Sequence, residues 1–116
     1  MLNRLEHRLL SGMMNDWEPL HILYRVSRDE VEGATLDLIL QALVKLADMG
    51  LITAFYINDH RETIKRLTLD MLRQHCTGRS EEELRNYPVE SPEYFFKPNQ
   101  EGRLEESKDV YDAYYS

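Results

Sequence analysis

The chain has 116 residues, 42% apolar and 30% charged, with a formal net charge of −7; this size and balance fit one soluble globular domain with a real hydrophobic core. Its apolar runs are too short for a membrane span, and charges interleave the apolar residues at its start, unlike a secretory signal. The single cysteine, Cys76, excludes an internal disulfide and suits a reducing compartment, so the expected location is cytoplasmic.

Leu2, Leu5, Leu9 and Met13 share one helical face and predict a first helix over 2–14. Asn15 and Asp16 punctuate it, with Asp16 placed to cap the next helix. Pro19 suits a first helical turn, where its missing N–H costs nothing, and Leu20, Leu23 and Tyr24 continue a short second helix to about residue 25. Ser27-Arg28-Asp29-Glu30 reads as a capping box that starts a new helix at Arg28. Gly33 costs about 1 kcal/mol relative to alanine inside a helix, and Thr35 can cap a fresh start. A break near Gly33 is therefore favoured, with the main helix at 34–49.

That helix carries Leu36, Ile39, Leu40, Leu43, Leu46 and Ala47 on one face and ends at Gly50, where a left-handed cap favours glycine. Thr53-Ala54-Phe55-Tyr56-Ile57 is β-prone. Asn58-Asp59-His60 predicts a turn, Ile64, Leu67, Met71 and Leu72 a helix over 61–75, and Ser80-Glu81-Glu82-Glu83 a second capping box opening a short helix. Tyr94-Phe95-Phe96-Lys97 reads as a strand, and Asn99 caps a last helix over 99–115. The expectation is one α+β domain, 1–116, mainly helical, with a small antiparallel sheet of two or three strands in which Phe55 and Ile57 share a sheet with Tyr94–Phe96.

Two segments, Leu36 to Ile52 and Tyr94-Phe95-Phe96-Lys97-Pro98-Asn99-Gln100-Glu101-Gly102-Arg103, resemble the winged helix-turn-helix superfamily: a third helix running into a wing strand, then a second wing strand and a turn opening a C-terminal helix. Together they cover under a third of the chain. The chain departs from that pattern in its wing, where 58–90 forms an insertion with helices of its own.

The resemblance implies a regulator or DNA-binding module whose third helix offers its exposed face. That face holds Asp37, Leu38, Gln41, Val44 and Lys45, with Asp48. Base edges and phosphates favour Arg, Lys, Asn or Gln. Gln41 and Lys45 qualify, whereas Asp37 and Asp48 repel phosphate and Leu38 and Val44 suit a protein surface. The face therefore reads first as a protein–protein surface, and alternatively as a groove reader or as a face half-covered by the insertion.

A basic island interrupts the acidic chain. Residues 60–79 hold Arg61, Lys65, Arg66, Arg73 and Arg79 against two acids, while the flanking stretches sum to −4 and −6. Arg61, Lys65, Arg66 and Arg73 are candidates for anion or nucleic-acid contact, disfavoured at long range by the net charge; a solvated, ion-paired helix face is the plainer account. Tyr111, Tyr114 and Tyr115 are candidates either for packing on the first helix or for a homodimer contact, where tyrosine is enriched. No catalytic constellation is legible: His7, His21, His60, His75 and Cys76 lack metal-ligand spacing, and no glycine-rich phosphate loop occurs. The expectation is a non-enzyme with no metal, no cofactor and no membrane association, acting on a homodimer mate or a protein partner.

Overall fold

Asn3 closes the first helix from both sides. The Glu6 N–H donates to its Oδ1 and its own N–H donates to Glu6 Oε1, each at 2.8 Å, so α1 occupies Arg4–Gly12, inside the predicted 2–14. The computed structural model describes residues 1–15, 17–57, 64–76 and 93–115. The expected Asp16 cap, the turn at 58–60, Arg61, Arg79, the Ser80–Glu83 box and most of the 58–90 insertion lie outside these residues.

After α1 comes a two-residue strand, β1 (Glu18–Pro19), with Pro19 standing at the cap of α2 (Leu20–Glu30). The sequence ends the second helix near residue 25 and starts another at Arg28; the chain instead runs as one helix through Ser27. The reason is tertiary. Leu20, Leu23, Tyr24 and Ser27 form one continuous buried stripe, which outweighs the local capping signal. Glu30 pairs with Arg8 on α1 rather than folding back on Ser27.

The break near Gly33 is present: the residue takes φ 78° and α3 (Leu36–Asp48) begins after it, with Leu38 N–H donating to the Thr35 hydroxyl at 3.3 Å. At its far end the Gly50 N–H donates to Ala47 O and the Leu51 N–H to Leu46 O, each at 3.0 Å, with Gly50 at φ 76°. This is a Schellman closure, and it turns the chain directly into β2 (Ile52–Ile57).

The sheet is antiparallel and has four strands, not two or three, in the order β1-β4-β2-β3. Its centre is the six-residue pairing of β2 with β4 (Glu93–Pro98), which sets Phe55 opposite Phe95 and Ile57 opposite Glu93. The strands missed from sequence are the edges. β1 holds only two residues, one a proline. β3 (Ile64–Arg66) lies inside the helix expected over 61–75. There the Leu67 N–H donates to Ala54 O, extending the ladder. Only then does Thr68, accepting from the Met71 N–H, open α4 (Leu69–Cys76).

Ile52, Ala54, Tyr94 and Phe96 bury one sheet face on the side of α2 and α3, while Leu67 and Leu72 extend the core beside α3. The single helix expected over 99–115 is two pieces, α5 (Gln100–Glu106) and a 3-10 helix (Asp109–Tyr114). Asn99 stands at the α5 cap but does not cap it with its side chain. Its Oδ1 accepts from the Thr53 hydroxyl at 2.5 Å and its Nδ2 donates to Gly50 O at 3.0 Å, tying the helix-strand corner to the last strand. Gly102 lies flat on the Leu51 carbonyl, where any Cβ would collide. Among the described residues no helix is long and apolar enough to cross a membrane.

Candidate interaction face

Burial of Leu36, Ile39, Leu40, Leu43 and Leu46 fixes which way α3 turns its other side. Asp37, Leu38, Gln41 and Lys45 are exposed on it, whereas Val44 is half-buried against the core. Leu38 is the apolar centre of this face, 47% exposed.

Lys45 is not an independent cation. Its Nζ lies 3.0 Å from Oε2 of Glu6, a side chain only 4% exposed. Glu6 thus accepts the Asn3 N–H through one oxygen and faces Lys45 with the other. Both oxygens of this buried carboxylate are thus partnered. Beside this pair runs a groove of about 390 Å³ between the start of α1, the Val31–Ala34 turn and α3. Leu5, Val31, Ala34 and Leu38 give it apolar walls, and Glu32 and Gln41 stand at its polar edge.

The basic island does not converge on this face. Lys65 and Arg66 are exposed neighbours on β3 and so point to opposite sides of the sheet. Arg73, on α4, lies 3.8 Å from Asp70. The alternation also sets Arg66 on the side of Phe55, opposite which it pairs. On that outer sheet face Trp17 stacks on Phe55 at 4.7 Å and 6°, with the Lys97 ammonium about 5.5 Å from both rings. Sequence reasoning did not find this aromatic–cation group. Its only local signal is the alternation Thr53, Phe55, Ile57 against Phe95, Lys97; Trp17 joins it through the fold.

The tyrosines are engaged within the chain. Tyr111, 1% exposed, stacks on His7 at 4.2 Å; its hydroxyl accepts the Leu2 N–H at 2.9 Å and donates to Glu105 Oε1 at 3.2 Å. Tyr114 donates to Leu2 O at 2.8 Å. His7 Nε2 faces Glu106 O at 3.0 Å; a carbonyl only accepts, so this nitrogen carries the proton and, in the neutral ring, Nδ1 accepts from Tyr115 at 2.7 Å. Tyr111 therefore fills the packing role on the first helix, and half of Tyr115 remains exposed. Burial raises both phenols above the ordinary tyrosine range, and the Lys108 ammonium, 2.5 Å from Glu105, lowers that carboxyl.

Among the described residues no three His, Cys, Asp or Glu side chains are grouped to hold a metal ion. Comparison with protein-family models, with curated proteins and with solved structures finds no match.

Proposed function

We propose that this chain is a cytoplasmic, non-catalytic winged helix-turn-helix module that acts through protein–protein contacts made by the outward face of α3. The topology supports the fold reading. Three helices, the last two separated by a glycine turn, run into β2, which pairs with β4 ahead of a C-terminal helix, and this is the order on which the resemblance rests. In this reading β3 and α4 belong to the insertion between the wing strands.

The pairing of Lys45 with Glu6 carries the choice of partner. The cation that would meet a phosphate already faces a buried acid, and Asp37 and an exposed leucine stand beside it. Phosphate contact needs available positive charge, whereas an interface core favours apolar surface with few charges. The DNA-binding reading retains one observation in its favour, the exposed Lys65 and Arg66 on the edge strand. Homodimerisation has less to draw on from the tyrosines, whose hydroxyls are engaged by Leu2 ahead of α1 and by His7 on it.

A photo-crosslinking residue at Gln41 tests the proposal in cells. The expected product is an adduct removed by protease and unchanged by nuclease, absent when the same residue replaces the exposed Asp109. A nuclease-sensitive adduct from Gln41 would reverse the reading.

A further inference from the structure

We infer that the groove between α1 and α3 receives a cationic segment of a partner protein, in which an arginine or lysine shares the Glu6 carboxylate with Lys45 and a neighbouring apolar side chain rests on Leu5 and Leu38. The inference rests on the protein-contact reading of α3 and specifies the partner's chemistry.

Three observations lead to it. The first is the acid in the groove. Glu6 lines it, is almost fully buried, and is faced by a lysine whose own side chain is 57% exposed. Each carboxylate oxygen has two acceptor positions, so Glu6 can take a further donor while keeping the Asn3 N–H on one oxygen and the Lys45 ammonium on the other. An incoming guanidinium has the planar geometry to pair with it.

The second is the balance of charge. Glu6 and Lys45 cancel, leaving Glu32 at the edge and Asp37 one turn before Gln41, within a chain of net charge −7. An anionic segment is repelled at both ranges and a cationic one is steered in. The third is the apolar wall. Leu5, Val31, Ala34 and Leu38 give a side chain next to the cation somewhere to bury, and Leu38 is already half in solvent. A free metal or a small polar ion makes no use of that wall; a peptide carrying both groups does.

The chain itself carries similar chemistry on β3, where Ile64, 57% exposed, precedes Lys65 and Arg66. Self-association is therefore the competing occupant, and the test separates it. The full-length protein, labelled with nitrogen-15, is titrated with a capped amphipathic peptide of leucine, alanine and arginine, and in parallel with the same peptide carrying glutamate for arginine. The arginine peptide is expected to shift the amides of Leu5, Gly33, Gln41 and Lys45 saturably, and the glutamate peptide to leave them in place. Glu32→Lys and Leu38→Ser, both at exposed positions, are each expected to weaken binding roughly five-fold. Equal response to both peptides, shifts centred elsewhere, or insensitivity to both substitutions overturns the inference. So does movement of the same amides on dilution without peptide, which assigns the groove to a second copy. If the arginine peptide fails and random duplex also fails to bind, only the groove chemistry is lost. Tight, salt-sensitive duplex binding removes the underlying reading as well.

Discussion

Tyr111 joins the two ends of the described chain through one hydroxyl, which accepts from the Leu2 N–H and donates to Glu105. Removing it by Tyr111→Phe leaves a buried N–H without its partner, and the expected loss of unfolding free energy is about 1–3 kcal/mol. Urea denaturation measures it, and faster exchange of the Leu2 amide would accompany it. The same cluster sets a pH window. Burial holds the Tyr111 proton more tightly in the folded chain, so its contribution is complete below the ordinary tyrosine value of 10.0 and is lost as pH rises past it. Glu105 behaves oppositely: Lys108 lowers it from 4.5, so its contribution is present above that value and disappears as pH falls. Stability should therefore form a plateau through neutrality with shoulders on both sides, and Tyr111→Phe should make the alkaline one shallower, leaving the share due to Tyr115. An alkaline limb of the same steepness in the variant would remove Tyr111 as its cause.

Elements closed by local chemistry were legible in the sequence. Gly50 with its positive φ, the break at Gly33 and the strand at Tyr94–Lys97 arise from residue types that have few alternatives. Elements decided by distant partners were not. Ser27 to Glu30 matches a capping box, yet burial of Ser27 keeps it inside α2. Ile64-Lys65-Arg66 fits a helical period, yet the free edge of β2 recruits it as a strand. Leu67 and Leu72, whose spacing marks them as packing residues, do enter the core. Leu72 is 2% exposed, so Leu72→Ala should cost about 2–5 kcal/mol, measured as a shift in the urea midpoint. An unchanged midpoint would mean that α4 is not part of the core.

At the scale of the whole molecule the acidic balance of the sequence points away from nucleic acid, and the structure adds where the charges meet. The six residues of the third-helix face, Asp48 included, are found from helical spacing, and all but Val44 are exposed. The ion pair that qualifies Lys45 was not foreseeable, because Glu6 lies thirty-nine residues earlier and reaches it only through the packing of α1 on α3. The groove was hidden for the same reason: Leu5, Val31 and Leu38 meet only in the fold. The central claim is that this face serves protein and not phosphate. Affinity for random-sequence duplex, measured between roughly 50 and 200 mM salt, tests it most directly, since each phosphate contact adds to the salt slope. The account predicts weak binding at the lower salt, unchanged by Lys45→Ala. Tight binding that falls steeply with salt, and that Lys45→Ala weakens, would contradict it.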